Sequence, residues 1–148
     1  MTRTPRRFLG IDPGTKRIGL SYGDALGIAT PLPAIPALPK RERDRRLGES
    51  ITERRITDLV VGYPYNMDDT IGPRAKETDR FIAELEFRFG LPVHRTDERL
   101  TTYQAESDLR EQGRRTKRDR RTRRSGEVDS RAATLILQDY LDQLAHIE

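Results

Sequence analysis

The chain has 148 residues, enough for one folded unit with a real core, and its charged residues (35%) slightly outnumber its hydrophobic ones (34%). It has no cysteine and only two histidines, His94 and His146, with a formal net charge of +4. Disulfides, thiolate chemistry and cysteine-built zinc sites are therefore excluded, and a histidine metal cluster lacks ligands. No apolar run is long enough to suggest a membrane span or a leader, so the expectation is a cytoplasmic protein with no membrane partner. Of the 28 basic residues only four are lysine, and arginine is the better fork for phosphate, although genomic base composition produces the same bias.

Arg3, Arg6 and Arg7 lead into a first predicted strand that starts at Phe8 and stops at Asp12. Pro13-Gly14 turns the chain, Lys16 and Arg17 show two cations, and a second strand runs from about Ile18 to Tyr22. An acid at a strand end beside a turn can face a ligand while the strand stays buried. Asp12 can equally bond its own backbone in an Asx turn. The Gly-Thr-Lys here is not a Walker loop: three residues separate Gly10 from Gly14, and Thr15 precedes Lys16. It is not a dinucleotide fingerprint either, because a strand-like run follows Gly19 where a helix should begin. Gly23 and Asp24 turn the chain into a third strand over Gly27 to Ile35, where Pro31, Pro33 and Pro36 mark an edge or a loop. The three strands read as an antiparallel meander.

Lys40 to Arg55 is charged almost throughout, with Leu47 and Ile51 as a thin helical stripe. It reads as a surface helix whose arginines form a solvated face in preference to a polyanion contact. Asp58 to Gly62 is a short apolar run that suits a central buried strand. A loop from Tyr63 to Gly72 leads to Pro73, placed for the first turn of a helix with the stripe Thr78, Phe81, Ile82, Leu85 and Phe89, closed by Gly90. Leu91 to Thr96 is the fifth strand. His94 reads as a strand-surface residue rather than a ligand, and Asp97, Glu98 and Arg99 follow at the strand end.

Thr101 to Gln104 has the form of a capping box and opens a weakly amphipathic helix that ends near Gly113. Arg114 to Arg124 then carries eight basic residues (Arg114, Arg115, Lys117, Arg118, Arg120, Arg121, Arg123 and Arg124) against one acid, Asp119. That is +7 within a net of +4, so the rest of the chain is −3 and the basic character is local. Such a segment is expected to be mobile and solvated alone, and to gain most from phosphates through counterion release. Nucleic acid is therefore the expected partner, with a flexible basic loop of no specific role as the alternative. The final helix is predicted from near Ser125, a plausible N-cap, with the stripe Ala132, Ala133, Ile136, Leu137, Tyr140 and Leu144. Asp129 falls on that inward face, where an acid is costly unless paired or bound to metal. Glu127 and Asp139 read as ordinary surface acids.

The predicted order is β-β-β-α-β-α-β-α-α, an α/β arrangement in which strands one, four and five lie parallel with their carboxyl ends together. Ligands in open α/β sheets collect at that edge. Asp12, Glu98 and Asp129 occupy special places near it, and three hard oxygen ligands suit Mg²⁺ or Mn²⁺. Such a site would hydrolyse phosphodiesters, with Lys16 or Arg17 neutralising a phosphate. Two histidines give no Ser-His-Asp set.

The stretches Leu9 to Gly19, Val60 to Asp68, Asp97 to Thr102 and Val128 to Ala133, extended by Ile136 to Leu141, are similar in order and spacing to the YqgF/RuvX family over nearly the whole chain. The resemblance implies a ribonuclease H-like fold, a central mixed five-stranded sheet flanked by helices, in one domain over residues 1–148. It implies a nuclease that matures the 5′ end of 16S ribosomal RNA, related to the RuvC-type Holliday junction resolvases, with Asp12, Glu98 and Asp129 as the catalytic metal-binding acids. The implied partners are precursor 16S rRNA, branched DNA in the alternative, and a ribosomal particle. Lys16, Arg17, Arg99 and the eight basic residues of 114–124 are the candidate nucleic-acid contacts. Three places depart from the family: Asp69 stands where glycine is common, Tyr22-Gly23 replaces Val-Ser before Asp24, and the basic segment is longer and richer in arginine. Two other classes remain open: a non-catalytic nucleic-acid-binding assembly factor, which should have lost an acid, and an actin-like ATP-binding domain, which should have a second such domain. The chain could act as a monomer or a homodimer.

Overall fold

The structure is a computed structural model and describes residues 5–64, 72–97 and 130–147. Strands β1 (Arg7–Asp12), β2 (Arg17–Asp24) and β3 (Thr30–Pro36) come first, followed by helix α1 (Lys40–Arg54) and strand β4 (Asp58–Tyr63). Helix α2 (Pro73–Phe89), strand β5 (Val93–Asp97) and helix α3 (Arg131–Ile147) complete the described elements. The strands form one mixed sheet in the order β3-β2-β1-β4-β5. β1, β2 and β3 pair antiparallel, as the predicted meander requires, while β1-β4 and β4-β5 are parallel. Short turns suffice for the antiparallel pairs, whereas β4 to β5 needs a crossover, which α2 supplies.

The sheet is covered on both faces, and alternation along each strand divides the core in two. Leu9, Ile11, Leu59 and Val61 point to one face and pack with Leu47 of α1 and Phe81, Ile82 and Leu85 of α2. Phe8 and Val60 point to the other and pack with Ile136, Leu137 and Leu141 of α3. β4 is buried at all six positions, which explains its unbroken apolar run.

The strand and helix limits shift a little from the sequence reading. β3 begins three residues later than expected, because Gly27 sits at φ 81 in the turn that precedes it. It is an edge strand, where its prolines cost no ladder bonds. α1 ends at Arg54, and Arg55 caps it in the left-handed region with φ 53. The apolar stripe of α3 runs through Ala133, Ile136, Leu137 and Leu141, and Ala132 is only half-buried. The helix predicted from Thr101 and the start of the last helix near Ser125 fall outside the described residues.

α3 lies unusually close to the sheet. A Cβ at Gly10 would stand 2.8 Å from Leu137 Cβ and 2.9 Å from the Ala133 carbonyl oxygen, and one at Gly23 would stand 2.7 Å from Leu141 Cδ1. These two glycines remove the side chains that would hold the helix away.

Candidate active site

Asp12 is the last residue of β1, at the carboxyl edge of the three parallel strands. Phe8 packs under α3, and a Cβ at Gly10 would meet α3 as well. Asp12 is in phase with both, so alternation directs it toward the α3 face.

The start of α3 is fastened beside that strand end. Ser130 is fully buried, and its Oγ accepts a 3.0 Å hydrogen bond from the Leu20 N–H, while Leu20 is the cross-strand partner of Ile11. Ser21 Oγ donates at 2.7 Å to the Ala133 carbonyl in the first turn of α3. The Thr134 N–H and Oγ1 both donate to the Ser130 carbonyl at 2.9 Å. Ser21 and Ser130 are positioning residues that the sequence reading missed. For Ser21 the signal was a lone hydroxyl inside a largely apolar strand, which needs a partner when buried.

The β4-β5 end of the same edge is braced from the other face. Tyr63 OH donates to Asp79 at 3.0 Å, Arg95 pairs with Asp79 at 3.1 Å, and the Arg95 guanidinium lies 5.1 Å from the Tyr63 ring centroid. In register, Gly62 faces Thr96 and Tyr63 faces Asp97, so β5 ends level with β4.

Of the predicted site residues, Asp12, Lys16 and Arg17 are described. Lys16 and Arg17 are exposed and line a small recess of about 180 Å³ with Ala34, Ile35 and Pro36. Glu98, Arg99, Asp129 and the basic residues of 114–124 lie outside the described residues, although the chain neighbours Asp97 and Ser130 are placed. Among the described residues no three Asp, Glu or His side chains gather to hold a metal ion.

His94 is not the simple strand-surface residue expected. Its Nε2 lies 2.8 Å from Asp58 Oδ2, and its ring stacks on Tyr140 at 5.0 Å. Asp58 also accepts from Arg6 at 3.0 Å and Thr57 at 2.6 Å. Asp58 starts β4, so this network closes the amino edge of the parallel strands, opposite Asp12. Burial pushes the Asp58 carboxyl up, but the hydrogen bonds from Arg6, His94 and Thr57 outweigh it and hold the group below its ordinary range.

Asp139 is also not an ordinary surface acid. Half-buried on α3, its carboxyl is held above the usual range by burial and by the charges of Asp142 and Asp97. The arginines of α1 do behave as a paired, solvated face. Arg45 and Arg46 bond Glu42, whose pKa is lowered to about 2 by Arg45 and then Arg46. The exceptions are Arg43, which is buried against Phe81, and Arg54, whose Nε is buried.

A mixed five-stranded sheet in this order, clad by three described helices, is the RuvC-like ribonuclease H fold. A T. thermophilus RuvC chain, solved in complex with a Holliday junction substrate, superposes with a TM-score of 0.52 at 15% identity, covering 95% of this chain and 96% of that one. The chain belongs to the RuvX family, whose model, described as Holliday junction resolvase, matches residues 6–143. A relative from Opitutus terrae is 54% identical over 138 residues, 93% of this chain and 92% of its own. One from Lachnospira eligens is 44% identical over 140 residues, 92% and 96% respectively. Both carry the name "Putative pre-16S rRNA nuclease". No helix among the described residues is long and apolar enough to cross a membrane.

Proposed function

We propose that this chain is a divalent-metal-dependent nuclease that hydrolyses phosphodiester bonds and matures the 5′ end of precursor 16S rRNA in the cytoplasm, on or near a ribosomal particle. The observation that carries this reading is the Leu20–Ser130 hydrogen bond, which fastens the residue after Asp129 beside the strand that ends in Asp12. Asp12, Glu98 and Asp129 are the proposed metal ligands. Their all-oxygen donor set fits Mg²⁺ or Mn²⁺, and the one histidine near the sheet is already engaged with Asp58 at the far edge. Bound there, such ions would lower the pKa of an attacking water and stabilise the leaving oxygen.

The chain's own contribution is rigidity and charge. Asp12 ends a strand buried on both faces, so its backbone is fixed before substrate arrives. Lys16, Arg17, Arg99 and the basic residues of 114–124 would hold neighbouring phosphates, contacts that set affinity and register but read no bases. The names of the relatives favour an RNA precursor as substrate. The family description, and the junction held by the RuvC chain, favour a second reading, cleavage of branched DNA.

The test compares wild type with Asp12→Asn on a precursor 16S 5′-end RNA and on a four-way DNA junction, each with Mn²⁺ or EDTA. RNA cleavage that stops with EDTA and falls at least about a hundredfold in the variant supports the proposal. Cleavage confined to the junction, in paired symmetric nicks, moves the assignment to the resolvase. Salt-dependent binding of both with no cleavage, on or off the ribosomal particle, identifies a binding factor.

A further inference from the structure

On the α1/α2 face, beside the turn that follows Asp12, lies a cavity of about 530 Å³ with Thr15, Leu38, Arg43, Glu77, Thr78 and Phe81 in its wall. We infer that it is a subsite for one unpaired nucleotide of the substrate strand, reached past the turn that follows Asp12 and lying on the other face of the sheet from the Asp12 carboxylate. The inference rests on the nuclease reading above and adds what the basic segment cannot supply, a contact to a base.

The size is that of a cleft for a single small molecule, roughly 300–1,000 Å³, and is far more than one anion needs. The walls come from parts of the fold already fixed. The Ala37 N–H donates to the Lys16 carbonyl at 3.0 Å, tying the segment before Leu38 to the turn after Asp12. Arg43 is held by Glu84 at 2.6 Å and Asp44 at 2.9 Å, with its guanidinium 4.9 Å from the Phe81 ring centroid. An arginine side chain only 8% exposed, spread on an aromatic ring at a cavity wall and fixed by two carboxylates, is a rigid flat surface that needs no reorganisation.

The chemistry suits a base. Leu38 is 67% exposed, a large apolar side chain at the wall of a cavity rather than in the core. Unpaired RNA bases are recognised by flat apolar or guanidinium surfaces together with hydrogen bonds to their edges. Among the described lining residues Glu77 carries the one carboxylate, and it is exposed and able to accept from a base edge beside the hydroxyls of Thr15 and Thr78. A carboxylate accepts from an exocyclic amino group, which cytosine has and uracil lacks. A stacked duplex keeps its bases out of reach of a recess in the surface, so the subsite also selects single strands.

Anisotropy titrations on the Asp12→Asn chain test this with three short probes: oligocytidine, oligouridine and an RNA duplex. We expect oligocytidine to bind about tenfold more tightly than either of the others. Glu77→Ala should remove the preference for cytidine, and Leu38→Ser should weaken both single strands about tenfold while leaving the duplex unchanged. Both positions are exposed, so melting temperatures should match the parent. Equal affinity for duplex and single strands, or single-strand affinities that neither variant alters, overturns the subsite. Binding needs no turnover, so this pattern can hold in a chain that cuts nothing. A chain that cuts RNA but lacks the pattern overturns the subsite alone.

Discussion

Asp58 holds together four parts of the chain, because Arg6, Thr57 and His94 all reach it and His94 in turn stacks on Tyr140 of α3. Removing it as Asp58→Ala leaves a half-buried imidazole and an arginine without their acceptor, and should cost about 1–3 kcal/mol at pH 7 by urea denaturation. Its folded-state pKa is depressed, so its contribution is present above the unfolded value and is lost as pH falls through the folded one. The gap between variant and wild type should therefore shrink below about pH 4. Asp139 has the opposite sign. Its pKa is raised, so the charged form opposes folding, and the penalty appears as pH rises through the folded value. Asp139→Asn should raise the melting temperature at pH 7 and leave it unchanged near pH 3.

At the scale of elements, the contact between β1 and α3 decides the shape of the site edge. Gly10→Ala would drive a methyl group against Leu137 Cβ and a backbone carbonyl that has no room to retreat, and should destabilise by about 1–3 kcal/mol. Arg55→Gly should do the reverse at the end of α1: the left-handed φ of 53 costs an arginine about 1 kcal/mol that glycine does not incur, so the variant should melt higher. These elements were largely legible in the sequence. Strand β1 announces itself by an apolar run broken at Asp12-Pro13-Gly14, and α2 by a clean period between Pro73 and Gly90. What was not legible depends on partners distant in the chain. Arg43 looks like any other arginine of α1 until Phe81 and Glu84 are brought to it from α2. His94 and Asp139 were assigned to the surface because nothing local shows that Tyr140 covers the one, or that burial and Asp97 bear on the other. For the site, Asp12 could be placed at a strand end from its neighbours alone, whereas Ser21 and Ser130 find their partners Ala133 and Leu20 at separations of 112 and 110 residues and belong to a closure no local pattern reveals.

Over the whole molecule, charge is segregated. The eight basic residues between Arg114 and Arg124 exceed the entire net charge of +4, so replacing all eight with glutamine takes the chain to −4. The variant should bind RNA with a much shallower dependence on salt, each lost phosphate contact reducing the slope of log affinity against log salt by somewhat less than one. Single-strand preference should survive, since the cavity on the α1/α2 face is untouched.

The fastening of α3 through Leu20–Ser130 also sets when the proposed centre is assembled. Until α3 has been synthesised, Phe8 and Val60 lack their cover, and the strand end carrying Asp12 has no neighbour on that face. Contacts this remote in sequence form late, after the local hairpins and the β4-α2-β5 crossover. A nascent chain therefore passes through most of its translation as an incomplete sheet, with a sticky face and no working centre. On the proposed function, whatever RNA surrounds it during that time would be safe from it.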